Sequence, residues 1–137
     1  GEAGSANNPG SRDRPAGFTD SKGNIWLFGG YGYGESGTTL GYLNDLWRPN
    51  VLSANPQWVN EGGEKVIGLT RSEVIGHYGT KGAGAPDNWP GARSSSIFFK
   101  ASDGKFWFFG GSRTRLLECT SSPCGDYYND LWKFFPE

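Results

Sequence analysis

The stretch NIWLFGGYGYG, residues 24–34, runs from apolar residues into a double glycine, and a similar stretch, KFWFFGGSRTR, occupies residues 105–115. Trp26 and Trp107 are 81 positions apart, and Gly29 and Gly110 are separated by the same interval. Segments that recur at a fixed spacing indicate a repeat architecture. The sequence therefore predicts two copies of one structural unit.

The similarity extends on both sides of this stretch. PGSR at residues 9–12 returns as PGAR at 90–93, again 81 positions further on. YLNDLWR at residues 42–48 returns as YYNDLWK at 127–133, but the interval is now 85. Because insertions between fixed segments fall in loops, the second copy is expected to carry a longer loop before this last segment.

Each copy reads as a series of short strands, which we label a to d in chain order. Strand a is expected at residues 14–19 and 95–100, strand b at 24–30 and 105–111, and strand c at 44–50 and 129–135. Strand d, PQWVN at residues 56–60, occurs in the first copy alone. Strand b is apolar at successive positions, which predicts burial on both faces of its sheet. A repeated four-stranded antiparallel unit with aromatics at fixed positions is typical of a propeller blade.

The composition restricts the class of protein. The 137 residues contain 23 Gly and 8 Pro, and 15% are aromatic, which together favour a β-rich core with many turns. The 13 Lys and Arg nearly balance the 14 Asp and Glu, and no basic block is present, so no nucleic-acid partner is expected. The apolar runs are too short to span a bilayer, so membrane insertion is not expected either. Nothing in the composition calls for a cofactor.

Three segments carry a resemblance to a known family. GNIWLFGG at residues 23–30, YLNDLW at 42–47 and YGTKGAGAPDNWPGAR at 78–93 resemble motifs of the long type of kelch repeat. The resemblance implies an all-β fold and a portion of a kelch-type β-propeller, with about two four-stranded antiparallel blades. It also implies a binding role rather than an enzyme, since most kelch propellers bind partners.

The repeat boundaries give an expected organisation. Residues 1–137 form a single β-propeller portion, with the first blade at 9–60, a long inter-blade loop at 61–89, and a second blade at 90–137 that lacks its last strand. Such a unit needs neighbours to cover its faces. We expect further blades from a longer chain or other copies of itself as partners, and a lone two-blade monomer is the weakest alternative.

Antiparallel connections place the b–c and d–a loops on the same rim. These loops span residues 31–41, 112–126 and 61–89, and they are long, whereas the turns of the other rim are short. Long loops on a rigid scaffold are frequent binding sites. The candidate binding residues of this rim are Tyr31, Tyr33, Tyr42, His77, Tyr78, Trp89, Arg113, Arg115 and Tyr127. The alternative, which we favour for most of the rings, is that they pack the long loops onto their own blades.

Other residues recur in both copies and are expected to be structural. Arg12 and Arg93 precede strand a, and Asp45 and Asp130 are their candidate partners. Each arginine is expected to bond the neighbouring blade's carbonyls or this aspartate, while an anion clamp is the functional alternative. The further repeated positions are Gly29, Gly30, Gly110, Gly111, Trp47 and Trp132.

The two cysteines lie close together in the longer loop. Cys119 and Cys124 flank a Ser-Ser-Pro segment, and a disulfide between them predicts an oxidising, extracellular location. Free thiols are the alternative. A zinc site is disfavoured because His77 is the only histidine, and no metal is expected.

The sequence therefore favours a non-catalytic binding or scaffold module that presents long, aromatic-rich loops to a protein or glycan partner. One alternative is a structural subunit that self-assembles through open strand edges. A less favoured alternative is a carbohydrate-active enzyme, similar to a sugar epimerase, in which His77 pairs with Glu73 or Glu118.

Overall fold

The chain folds as antiparallel β-structure. The computed structural model describes residues 7–34, 37–50, 56–64, 67, 74–114, 120 and 124–135. Within these residues there are twelve strands and no helix. The strands are β1 (Arg12–Asp13), β2 (Ala16–Thr19), β3 (Ile25–Tyr33), β4 (Leu40–Asn50), β5 (Gln57–Gly62), β6 (Gly76–His77), β7 (Trp89–Pro90), β8 (Ile97–Lys100), β9 (Phe106–Phe109), β10 (Ser112–Thr114), β11 (Gly125–Tyr127) and β12 (Leu131–Phe134).

Sheet one contains β1 to β5. Strands β1 and β2 both pair with β3, which pairs with β4, and β4 pairs with β5. The register between β3 and β4 shifts between Phe28 and Gly30, at the double glycine. Gly29 and Gly30 both have positive φ, at 59° and 107°, a region that side chains disfavour. This irregularity lets β3 continue past the double glycine to Tyr33.

Sheet two contains β8, β9 and β12, in the order β12–β9–β8. Two small hairpins, β10–β11 and β6–β7, complete the described strands. The turns before β3 and β9 each contain a glycine with positive φ, Gly23 and Gly104, a conformation that glycine adopts without steric cost. None of the sheets in the described ranges closes on itself.

The main core lies between the two sheets. Trp26, Phe28 and Leu46 of sheet one form a buried cluster with Phe108 of sheet two. Phe18 joins the sheets through ring contacts, with its centroid 4.8 Å from that of Phe98 and 4.4 Å from that of Phe106. Rings at these separations add specific attraction to the burial of apolar surface.

The segment from Ala92 to Ser95 joins sheet one to the β10–β11 hairpin of the second copy through its backbone. Arg93 N donates to Leu43 O and Arg93 O accepts from Gly30 N, both in sheet one. Ser94 forms a reciprocal pair of bonds with Ser112, at the start of β10. The buried backbone here is satisfied by partners from both copies, so this segment fixes one copy against the other.

The structure corrects several sequence-based expectations. Strand b was expected to be buried on both faces, and this is wrong, because Ile25 and Phe109 are exposed. Residues 31–41 and 112–126 were expected as loops, but they carry the ends of β3 and β4 and the hairpin β10–β11. The interval 61–89 likewise contains β6 and the first residue of β7. Beyond the double glycine, β3 and β4 continue to pair from Tyr31 with Tyr42 to Tyr33 with Leu40.

Candidate functional site

The guanidinium of Arg12 contacts three separate segments of the first copy. Its Nη1 donates to Asp45 Oδ1 at 2.6 Å and to Gly29 O at 3.0 Å, and its Nη2 donates to Asp45 Oδ2 at 3.0 Å. Its Nε points to Gly10 O at 3.5 Å. Trp47 Nε1 donates to the same carboxylate at 2.6 Å. Both charged side chains are almost fully buried, so the pair depends on this bidentate geometry.

Arg93 repeats this arrangement in the second copy. Its Nη1 donates to Asp130 Oδ1 at 2.5 Å and to Gly110 O at 3.1 Å, and its Nη2 donates to Asp130 Oδ2 at 2.8 Å. Its Nε donates to Gly91 O at 2.9 Å, and Trp132 Nε1 donates to Asp130 Oδ2 at 2.7 Å. The candidate partners named from the sequence, Asp45 and Asp130, are the carboxylates contacted. The carbonyls belong to the same copy as each arginine, not to the neighbouring one as also considered.

Tyr78 adds a contact to the second network. Its hydroxyl donates to Asp130 Oδ2 at 2.7 Å and accepts from Arg93 Nη2 at 2.8 Å, and its ring packs on Trp132. The guanidinium of Arg93 also lies 3.8 Å from the centroid of Tyr128. Tyr78, predicted as a binding residue, is therefore a structural member of a buried network, although half of its surface faces solvent.

The network sets the ionisation of its acids. Burial, together with the hydrogen bond to Asp130, raises the pKa of Tyr78 to about 12. Burial alone would raise the pKa of Asp130, but hydrogen bonds from Arg93, Trp132 and Tyr78 hold it below its ordinary value. Asp130 is therefore a carboxylate, and Tyr78 is a neutral phenol that donates to it.

The three tyrosines of the first b–c connection lie on strands rather than in a loop. Tyr31 and Tyr33 are half-buried on β3, and Tyr42 on β4 is buried in a small cluster with Val74 and Ala92. The rings of Tyr31 and Tyr42 are 5.0 Å apart. Tyr42 is therefore a core residue, which agrees with the alternative that most of these rings pack within the fold. Little of its surface is accessible to a partner.

Trp89 and His77 come together where β6 pairs with β7. The indole N–H of Trp89 donates to Asn44 O at 2.7 Å, which ties the long connection to β4. His77 Nδ1 lies 3.5 Å from Asp87 Oδ2, and 71% of each side chain is exposed. The side chain of His77 is accessible to solvent, whereas the indole N–H of Trp89 is already bonded within the fold.

The remaining candidates lie on the second b–c connection. Arg113 is buried beside Asp126, with 3.4 Å between Nη2 and Oδ2, and Tyr127 is exposed on β11. Arg115 and Cys119 lie outside the described residues. The disulfide between Cys119 and Cys124 therefore stays a prediction, as does the extracellular location drawn from it.

A cleft of about 900 Å³ lies between the end of β5 and the β6–β7 hairpin. Its wall combines carboxylates, an imidazole and apolar surface. The lining side chains that matter here are Asn44, Glu61, Glu64, Ile75, His77, Asp87 and Trp89. Of these, His77 and Trp89 were predicted from the sequence. The others were not predicted, because single polar or apolar residues in a long connection give no periodic signal.

Asn44 lines this cleft and bonds to both ends of the connection that forms most of its wall. Its side chain is buried, with Nδ2 donating to Pro90 O at 3.1 Å and Oδ1 accepting from Glu64 N at 3.0 Å. One amide thereby holds both ends of the long connection. In the sequence, Asn44 belongs to the Asn-Asp pair that occurs in both copies. The sequence analysis predicted a partner for the aspartate of this pair but none for the asparagine.

Other site types are not seen in the part of the chain that the structure describes. It contains no group of three or more His, Cys, Asp or Glu arranged to hold a metal ion. Within the same ranges, no helix has the length and apolar character needed to cross a membrane.

Comparison with known protein families finds no family that matches the chain, and comparison with curated proteins finds no significantly similar sequence.

Proposed function

We propose that the chain is part of a kelch-type β-propeller and that it acts as a non-catalytic binding module. The observation that carries the binding role is the cleft between the end of β5 and the β6–β7 hairpin, most of which is built by the single connection from Glu61 to Trp89. A concave site with an apolar wall and a few convergent polar groups is the usual form of a ligand site. The duplicated arginine–aspartate–tryptophan network supports the propeller part of the proposal, because architecture must recur in every unit whereas a ligand site need not.

The charges of the cleft restrict its ligand. Glu64 and Asp87 face it together with one histidine, while Glu61 is paired with Arg48, with 2.5 Å between Oε1 and Nε. Among the residues that the structure describes, this wall has an excess of carboxylate, which attracts cationic groups and repels anions. Carboxylates and imidazole also accept or exchange hydrogen bonds with hydroxyl groups. The cleft therefore fits a glycan with neutral or amino sugars, or a protein segment carrying Lys or Arg, and it disfavours sulfated or sialylated glycans.

The exposure of the His77–Asp87 pair supports a non-catalytic role. Both side chains are mostly solvated. General acid–base catalysis and charge stabilisation gain most from groups held in a dry, preorganised site. A solvated pair at the mouth of an open cleft is better suited to hydrogen-bond a ligand than to move its protons.

The test is a binding screen with the purified, labelled chain. Its probes are arrays of neutral, amino-bearing and sulfated oligosaccharides, together with Lys- and Arg-rich peptides. We expect binding to the first two glycan groups or to the basic peptides, and at least a tenfold loss of affinity for Asp87→Ala and for Glu64→Ala. Asp103→Ala is the matched control, because Asp103 is an exposed carboxylate in the short turn before β9.

Two results would count against the proposal. One is the absence of binding to every probe group. The other is an equal loss of affinity in Asp103→Ala and Asp87→Ala, which would place the contact outside the cleft. Circular dichroism of each variant separates loss of the site from loss of the fold.

A further inference from the structure

Strand β5 forms one edge of sheet one. It spans Gln57–Gly62 and pairs with β4 on one side, and no other strand in the described part of the chain pairs with it. The backbone N–H and C=O groups on the open side of such a strand form a row with which a further strand can pair. The edge of β5 is therefore a surface with backbone donors and acceptors of its own.

This edge is regular over most of the strand. The pairing of β5 with β4 keeps one register from Gln57 to Asn60 and shifts beyond this run. Val59, on one face of the strand, is 2% exposed, while Trp58 and Asn60, on the other face, are half-buried. Both faces are thus packed against the fold, so a partner of β5 would meet its edge rather than a face.

Strand β5 ends at the cleft. Glu61 and Gly62 belong both to β5 and to the wall of the cleft, and Glu64 follows them along the same wall. Asp87 lines the cleft as well, with 71% of its side chain exposed. A strand added along β5 would therefore run from the regular edge into a concave site that contains carboxylates.

The charged groups at this end select a cation. Glu61 already pairs with Arg48, whereas Glu64 and Asp87 are exposed. The imidazole of His77, 3.5 Å from the carboxylate of Asp87, carries a charge only when it is protonated. The described residues that line the cleft include no Lys or Arg. An incoming Lys or Arg side chain would gain charge-assisted hydrogen bonds there, and an incoming acidic side chain would be repelled.

The strand edge distinguishes a protein segment from a glycan. Along an antiparallel strand, the backbone groups that face one side repeat every second residue, at about 6.8 Å. An extended polypeptide has the same repeat and can match each donor with an acceptor, whereas a sugar chain has no row of amides with this spacing. The edge and the cleft together therefore fit one kind of partner, an extended segment that carries Lys or Arg at one end.

We propose that β5 receives an extended, basic segment of a partner protein as an additional strand, and that Glu64 and Asp87 bind the Lys or Arg of that segment. Backbone hydrogen bonds to the edge from Gln57 to Asn60 supply the affinity, and the carboxylates supply the selectivity for a basic end. This inference rests on the proposed binding role of the cleft, and it narrows the ligand to a protein segment held by its backbone.

The first test measures the binding of synthetic octapeptides to the purified chain by fluorescence anisotropy. One set alternates Val and Thr and carries Lys-Lys at either terminus, and a matched set carries Glu-Glu instead. We expect at least one Lys-Lys peptide to bind, the Glu-Glu peptides to bind at least tenfold more weakly, and Asp87→Ala, but not Asp103→Ala, to lose at least tenfold in affinity. N-methylation of alternate amides of the bound peptide should abolish binding in one of the two registers and change it less than threefold in the other.

The second test locates the added strand by hydrogen exchange and mass spectrometry. Bound peptide should slow the exchange of β5 amides at least tenfold and leave the amides of β8 unchanged, since β8 is an edge strand of sheet two that contributes no residue to the cleft lining. Peptide binding that tolerates N-methylation in both registers, or that protects no amide of β5, would overturn the proposal while the binding role of the cleft stands. Binding of glycans without any peptide would have the same meaning, and a chain that binds neither would contradict both proposals.

Discussion

At the scale of single residues, Arg93 shows how a buried charge becomes tolerable. Its side chain has no exposed surface. Removing an ion from water costs several kcal/mol, and coulombic attraction offsets that cost only when the remaining donors are also satisfied. Here the carboxylate of Asp130, two carbonyls and a tyrosine hydroxyl accept from the guanidinium. The planar fork of arginine, which lysine lacks, makes this set of contacts possible.

Arg93→Met should lower the free energy of unfolding by about 3 kcal/mol, because it leaves the carboxylate of Asp130 partly buried without its cation. Urea unfolding followed by tryptophan fluorescence measures this value. Arg14→Met is the control, since Arg14 pairs with Asp13 in solvent, where such a pair contributes about 0–1 kcal/mol. Equal losses in the two variants would contradict the structural role of Arg93.

Tyr78 should titrate later than an ordinary tyrosine. Burial and the neighbouring Asp130 raise its pKa to about 12 from 10.0, so the folded chain holds this proton more tightly than the unfolded chain does. Stability that comes from the protonated hydroxyl is complete below pH 10 and is lost as the pH rises toward 12. The ultraviolet difference titration between wild type and Tyr78→Phe should therefore have its midpoint near 12, and a midpoint at 10.0 would sink the assignment.

At the scale of elements, the double glycine decides how β3 continues. A Cβ on Gly29 would lie 2.8 Å from Arg93 O and 2.9 Å from Leu43 O, so the second copy's backbone approaches at the position where a side chain would start. Gly30 has a φ of 107°, and its N–H donates to Arg93 O. The glycines therefore serve the register shift and the junction between copies at the same point.

Gly30→Ala should destabilise the chain by about 1–3 kcal/mol, through backbone strain and contact of the new methyl with Asp13 O and Pro15. Thermal unfolding by circular dichroism gives the change. Gly84→Ala is the control, because a Cβ at Gly84 meets no other atom within 4 Å. A stable Gly30→Ala with an unchanged melting temperature would show that the strand can relax around the substitution.

At the scale of the whole molecule, two sheets with equivalent sequences have different surroundings. Sheet one has one face covered by sheet two, and sheet two has the corresponding face open to solvent. The loss of unfolding free energy when a side chain is truncated depends on the atoms that surround it and on how far they can close the cavity. Equivalent substitutions in the two sheets should therefore have unequal effects.

Leu46→Ala should cost about 2–5 kcal/mol of unfolding free energy, because Leu46 is 3% exposed in the inter-sheet core. Leu131→Ala should change it by less than about 1 kcal/mol, because Leu131 is 55% exposed. Denaturant unfolding of both variants makes the comparison. A large loss for Leu131→Ala would contradict the exposed position of this side chain on sheet two.

The sequence alone determined the all-β class, the repeat and the partners of its arginines. Aromatic and glycine-rich segments that recur at fixed spacing can be read without coordinates, because strand propensity and turn chemistry are local. Arg12 and Arg93 could be matched to Asp45 and Asp130 because both pairs recur, and recurrence limits the number of possible contacts. These predictions rest on properties that a short stretch of chain carries by itself.

Only the tertiary structure decided which rings are core and where the cleft lies. Tyr42 and Tyr78 were equally plausible as binding residues, but one is buried beside Val74 and the other is held between Arg93 and Asp130. Glu64 and Asp87 line the same cleft although 23 positions separate them in the chain. Burial and convergence depend on which distant segments come together, and a local pattern does not contain that information.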